Sequence, residues 1–158
     1  MPPSAASQLF SVVGKNVLVT GGSRGIGLMI AKGFVSGGAN VLLTSRDEKA
    51  CAEAAQSIQC QHVASNVSTR EGCKALADHV SKVFDGKLHV LINNAGTSWG
   101  EPLERESGRV NWGWDKVLDL NVKGVFYLTR ECIPMLEKSG SLQDPSRVIV
   151  SSVVHVGT

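Results

Sequence analysis

Apolar residues recur along this chain in two alternating rhythms. Short aliphatic and β-branched runs read as strands: NVLVT (16–20), NVLLTS (40–45), QHVAS (61–65), LHVLI (88–92) and RVIVSS (147–152). Between them the apolar spacing becomes helical. Residues 25–36 place Ile26, Ile30 and Phe34 four apart, and Gly37-Gly38 closes that helix. A second helix runs from Asp47, its N-cap, to about Ile58. Ser68 with Glu71 three residues on spells a capping box for a third, ending near Phe84. A long helical pattern covers Trp112 to about Lys138, with Pro134 near its end. Asn121-Val122-Lys123-Gly124 inside it is poor helix-forming sequence, so something other than propensity must hold it.

The order is βαβαβαβαβ. Nearly continuous apolar strands predict a parallel sheet covered by helices on both faces. Right-handed crossovers then give strand order 3-2-1-4-5, a Rossmann-like doubly wound α/β fold. Residues 1–12 read as a lead-in and 13–158 as one domain. The polar stretch 97–111, with Trp99 and Leu103, reads either as part of a pocket roof or as packed surface.

Composition narrows the function. The chain has 158 residues, 42% hydrophobic and 19% charged, as expected of a single globular domain. A net charge of +2 gives no field that argues for nucleic acid. No run approaches the roughly 18 apolar residues of a membrane helix. The N-terminus lacks a secretory pattern. Cys51, Cys60, Cys73 and Cys132 form no CxxC, and His62, His79, His89 and His155 form no HExxH. No metal site is expected, and free thiols point to a reducing, cytoplasmic compartment.

The candidate chemistry lies in the turn TGGSRGIG (20–27), between the first strand and the first helix. The first amides of a helix are unpaired and partly positive, and glycine lets an anion approach them. The pattern is T-G-x-x-x-G-x-G through Thr20, Gly21, Gly25 and Gly27, not G-x-G-x-x-G. Gly21 to Gly25 also spells G-x-S-x-G, a hydrolase elbow with Ser23 as nucleophile, although only one strand precedes it. A tight turn without a ligand is the third reading. The second strand ends in Thr44-Ser45-Arg46, where an acidic residue would favour NAD. Arg46, with Arg24 from the turn, suits the additional 2′-phosphate of NADP.

These residues resemble the short-chain dehydrogenase/reductase family. The resemblance runs through TGGSRGIG, NNAG (93–96), LNVKG (120–124) and VIVSSV (148–153), and is greatest for 3-oxoacyl reductases of the rhamnolipid-biosynthesis type. It implies an oxidoreductase that moves hydride between NADP(H) and a small carbonyl or alcohol substrate. By resemblance, Gly21, Ser23, Arg24, Gly25, Ile26 and Gly27 line the pyrophosphate and adenosine ribose, and Ser45 and Arg46 meet the 2′-phosphate. Asn66 and Val67 flank the adenine, Asn66 standing where the family usually has Asp. Asn93, Ala95 and Gly96 lie under the nicotinamide ribose, while Asn93 and Asn94 also read as a turn that ties neighbouring strands together, and the two readings are compatible. Asn121 is the helix-kinking residue that holds a relay water, and Ser152 is the catalytic serine that bonds the substrate carbonyl.

The family's Tyr-x-x-x-Lys pair belongs beyond Ser152, and the sequence stops at Thr158. Tyr127, followed four residues later by Glu131, does not replace it. The expectation is a truncated reductase, inactive alone, whose full-length form is a homo-oligomer. The alternative is a non-catalytic nucleotide-binding or regulatory partner of a full-length relative. Val148–Val150 should then form an uncovered sheet edge, and Val125, Phe126 and Ile133 should be partly exposed.

Overall fold

Five strands form one parallel sheet in the order β3-β2-β1-β4-β5. The computed structural model describes residues 10–99, 102, 104, 107–108 and 111–151. The strands are β1 (Asn16–Thr20), β2 (Asn40–Ser45), β3 (Gln61–Ala64), β4 (Val90–Asn93) and β5 (Arg147–Val150). The helices are α1 (Gly25–Ser36), α2 (Glu48–Ile58), α3 (Arg70–Val83), α4 (Trp112–Leu118) and α5 (Val125–Ser139). Asp119–Gly124, between α4 and α5, is wound as a π-helix. The expected topology is the observed one.

Alternation along each strand divides the core. Leu18, Leu42 and Leu91 face α3 and α5, meeting Leu76, Val80, Leu128 and Leu136. Val17, Val19, Val41 and Ile92 face the other way, toward Ala31, Ile30 and Phe34 of α1. Leu43 packs on Cys51, Ala54 and Ala55 of α2. β5 has little over it: Val148, Ile149 and Val150 are 43%, 44% and 56% exposed. Phe126 and Ile133 on α5 are exposed as well. All four cysteines are unbridged. Burial pushes the thiol of Cys60 up to about 11, of Cys73 to about 11 and of Cys132 to about 12, so all three stay protonated near neutrality.

The structure departs from the sequence reading in particular places. The N-cap of α3 is Thr69, not Ser68: Thr69 Oγ1 accepts the Gly72 N–H at 3.1 Å, while Ser68 donates to Asn66 Oδ1. β4 begins at Val90 because the Leu88 N–H bonds to the carbonyl of Met135 on α5, drawing Leu88 out of the ladder. β3 stops at Ala64 and β5 at Val150. On the Ile26-Ile30-Phe34 face of α1, Ile26 is exposed at the cleft, and the buried positions of the helix are Gly27 and Ala31. The sheet needs small residues there to bring the helix close.

A polar lattice closes the amino ends of the strands. His89 Nδ1 accepts the Asn16 main-chain N–H at 3.0 Å, and Lys15 bonds Asp144. Burial, chiefly, holds the His89 imidazole below its usual pKa; Lys15 and Lys87 add to this and Asp144 opposes it. A histidine whose folded pKa is depressed adds stability above its unfolded value, about 6.5. That contribution is lost as the pH falls through the folded pKa. Hydrogen bonding from Lys15 holds the Asp144 carboxyl low, so Asp144 titrates in a separate, more acidic window. Urea unfolding at stepped pH should therefore show stability falling from pH 7 to 5, with a shallower slope in His89→Gln. Equal slopes would remove His89 from this role.

Candidate functional site

Above the carboxyl ends of the strands lies a cleft of about 530 Å³. It sits where the chain, having left β1 toward β2 on one side, returns to β4 on the other. Open α/β sheets hold their ligands at such a reversal of strand order.

The cleft is framed by one buried hydroxyl. Thr20 Oγ1 donates to the Ile92 carbonyl at 3.2 Å and accepts the N–H groups of Asn94 and Ala95 at 3.0 and 2.9 Å. Asn94 Nδ2 returns to the carbonyls of Thr20 and Gly21 at 3.1 and 3.4 Å. The turn after β1 and the turn after β4 are thus fastened together. Neither Thr20 nor Asn94 was given a site role from sequence, although both lie in the quoted motifs.

Two glycines do different work in the first turn. A Cβ on Gly27 would stand 2.2 Å from the Gly21 carbonyl oxygen, so only glycine lets α1 seat against the turn. Gly25 has φ of +55°, and a Cβ there would meet nothing within 4 Å. Its missing side chain leaves open space over the first amides of α1, as an approaching anion requires.

Arg46, at the end of β2, and Arg24, in the turn after β1, both line the cleft. Asp47, which also lines the cleft, caps α2, its Oδ1 accepting the Ala50 N–H at 3.0 Å. The Ser45 hydroxyl is turned toward the same helix start, 3.3 Å from the Asp47 carbonyl oxygen. Thr44, also on the cleft wall, is buried, and its Oγ1 has no hydrogen-bond partner.

The sequence model of the short chain dehydrogenase family matches residues 15–155.

The chain belongs to the short-chain dehydrogenase family.

This short-chain dehydrogenase is 44% identical over 152 residues to the rhamnolipids biosynthesis 3-oxoacyl-[acyl-carrier-protein] reductase of Pseudomonas aeruginosa, a match covering 93% of this chain and 58% of that relative. A tropinone reductase homolog of Arabidopsis thaliana is 33% identical over 152 residues, covering 93% of this chain and 55% of its own length. Among solved structures, the RhlG/NADP active-site complex of Pseudomonas aeruginosa superposes with a TM-score of 0.83 at 42% identity, covering 90% of this chain and 56% of that one. The chain therefore spans somewhat more than half the length of these relatives.

Of the sequence-derived site residues, Gly21, Ser23, Arg24, Gly25, Ile26, Gly27, Ser45, Arg46, Val67, Ala95 and Gly96 all line this one cleft. Two do not. Asn93 is buried, with Nδ2 donating to Thr129 Oγ1 on α5 at 3.1 Å. Asn66 is exposed and its Oδ1 accepts from Ser68. Asn121 stands in the π-helical segment and clasps Thr97 twice, Oδ1 accepting its N–H and Nδ2 donating to its carbonyl, both at 2.9 Å. Trp99 packs on Gly113 and edge-on to Trp112, while Leu103 and Ser152 lie outside the described residues.

The two glycines should separate fold from binding. Gly27→Ala should lower stability by about 1–3 kcal/mol through overpacking. Gly25→Ala should cost only about 1–2 kcal/mol for its left-handed backbone yet weaken dinucleotide binding more than tenfold. Thermal unfolding and NADPH fluorescence titration on the same samples check both. Unchanged binding in Gly25→Ala would show that the open space over α1 is not the anion site.

Proposed function

We propose that this chain is the dinucleotide-holding part of an NADP-dependent oxidoreductase that interconverts a carbonyl and an alcohol. The observation that carries this reading is the convergence of the glycine turn, Arg24 and Arg46 on one cleft at the strand reversal. The relatives support it: one solved neighbour is an NADP complex, and the 44% identical relative is named as a 3-oxoacyl reductase. When bound, the dinucleotide supplies the hydride.

The chain's own residues bind and orient. The amides opening α1, unobstructed at Gly25, receive the pyrophosphate. Arg24 and Arg46 take the 2′-phosphate through paired, charge-assisted hydrogen bonds. Ser45 contributes through its main chain, its hydroxyl being turned to Asp47. Asp47 also lines the cleft, and it gives Oδ1 to the cap of α2, so the preference for NADP rests on the two arginines and not on the absence of an acid. Thr44 Oγ1, buried without a partner, is a polar group on the cleft wall that a ligand atom or water could satisfy. Val67 and Leu120 give the base an apolar wall. Ala95 and Gly96 keep the nicotinamide end close to the strand end.

Asn121 acts as a positioning residue. Its Oδ1 and Nδ2 each use one hydrogen-bonding valence on Thr97 and each keep one, which is where a relay water would be held. Ser152 would follow Ser151, whose N–H bonds the Asn93 carbonyl at 2.9 Å and so fixes the end of β5 beside β4. Its role as donor to the substrate carbonyl rests on family resemblance.

Cofactor choice is the direct test. Titration should show NADPH bound at least tenfold more tightly than NADH. Arg46→Ala should weaken NADPH binding by about ten- to a hundredfold, the worth of a charge-assisted hydrogen bond or two, and leave NADH nearly unchanged. Equal affinity of the unaltered chain for both dinucleotides would remove the role given to the two arginines.

A further inference from the structure

Arg46 lines the cleft, yet its side chain makes no hydrogen bond or ion pair among the described residues. Its aim is therefore set by the main chain that carries it. What holds that main chain lies outside the cleft.

Ser45, Arg46, Asp47 and Glu48 form an arch with both feet on β3. The first foot is the end of the ladder between β2 and β3, where the Ser45 carbonyl accepts the Ser65 N–H at 2.8 Å. The second foot is a side chain. Glu48 is the first residue of α2, and its Oε2 accepts the Ala64 N–H at 3.2 Å. Its Oε1 lies 3.2 Å from Nε2 of His62, also on β3.

The topology explains why that amide is there to be taken. β3 is the outer strand on its side of the sheet. Main-chain groups of successive strand residues turn to opposite sides. With the Ser65 N–H turned inward to Ser45, the Ala64 N–H faces the open edge, where no strand follows. Glu48 accepts from it instead. Inside the arch, the Ser45 hydroxyl donates to the Asp47 carbonyl at 3.3 Å, and Asp47 Oδ1 accepts the Ala50 N–H. Arg46 stands at the crown of the arch and faces the cleft, which Glu48 does not line.

We propose that Glu48 is a positioning residue for recognition of the 2′-phosphate. By tying the start of α2 to the edge of β3 it fixes the backbone of Arg46, so the guanidinium is in place before the phosphate arrives. This inference rests on the reading that the cleft holds NADP(H) with Arg46 at the 2′-phosphate. A loosened arch would have to be ordered on binding, and that cost falls on the phosphorylated dinucleotide, which alone uses Arg46. The charge of Glu48 acts with the opposite sign. A carboxylate repels a nearby phosphate, so removing the charge while keeping the tether would tighten NADPH binding, if it changed it at all.

Two measurements on the full chain test this. Amide hydrogen exchange without nucleotide reads the arch itself. In Glu48→Ala the amides of Ala64 and Ala50 should exchange about tenfold faster, the worth of one hydrogen bond. Glu48→Gln keeps an oxygen that can accept the Ala64 N–H and should stay close to the unaltered chain. Titration then reads the consequence. Glu48→Ala should bind NADPH about three- to tenfold more weakly, the cost of ordering a released segment, with NADH binding unchanged. Glu48→Gln should bind NADPH at least as tightly as the unaltered chain. An Ala64 amide that is unprotected in the unaltered chain overturns the inference. So does NADPH binding that is unchanged or tighter in Glu48→Ala, equal losses for NADPH and NADH, or a loss in Glu48→Gln as large as in Glu48→Ala. Equal affinity of the unaltered chain for both dinucleotides, with exchange behaving as expected, would instead remove the reading beneath it, and the positioning role with it.

Discussion

Parallel strands end with main-chain groups that no neighbouring strand pairs, and at β1 and β4 one threonine resolves this. The Thr20 hydroxyl sits where the ladder between the two strands stops, accepts two N–H groups from the turn after β4 and donates to Ile92. Thr20 is 1% exposed, so water cannot replace any of these partners, and a lost one would leave a buried group unpaired. Asn94 adds bonds in the opposite direction, to the carbonyls of Thr20 and Gly21. The aim of the α1 amides follows from this knot. Gly27 presses α1 onto Gly21, and Gly21 is tied to Asn94. The turn after β1 is thus positioned by residues at the end of β4.

A second constraint acts across the cleft. The π-helical turn 119–124 lies against the loops that leave β3 and β4. A Cβ on Gly124 would stand 2.2 Å from the Val67 carbonyl oxygen, and Asn121 bonds both polar groups of the Thr97 main chain. A π turn gives poorer local geometry than an α turn, and such turns persist where tertiary contacts compensate. Here the compensation is visible: two side-chain bonds from Asn121 and close packing at Gly124. The poor helix-forming stretch Asn121–Gly124 is kept because those residue types are needed by neighbours outside the helix.

The sequence showed most clearly what local chemistry alone decides. The bounds of β1, α1 and β2 were readable because glycines and a change of apolar period mark each end. That Arg24 and Arg46 line one cleft was readable because a glycine turn after β1 and the end of β2 meet at the same edge of such a sheet. Hidden from sequence were choices between chemically equal candidates. Ser68 and Thr69 both carry a capping hydroxyl, and only backbone geometry gives the cap to Thr69. Ile26 fitted an apolar stripe, but the tight approach of α1 to the sheet needs Gly27 and Ala31, which hydrophobic spacing does not single out. Asn66 and Asn93 were placed at the site by motif, and each turns its amide to a neighbour in the fold. The strand-tying turn that the pair Asn93-Asn94 also suggested is there, and Asn94 makes it.

Charge completes the account. The chain carries a net charge of only +2, so no overall field draws a nucleotide in. The attraction has to be local, and the ion-pair pattern makes it so. Lys15, Lys74, Lys123 and Arg147 are each matched to a carboxylate within the fold. Arg24 and Arg46 make no ion pair among the described residues, and Asp47, which lines the same cleft, gives one carboxylate oxygen to the cap of α2. The first amides of α1 add partial positive charge beside the glycine turn. Donors are thus gathered on one wall of the cleft, and no salt bridge among the described residues uses the two guanidinium groups.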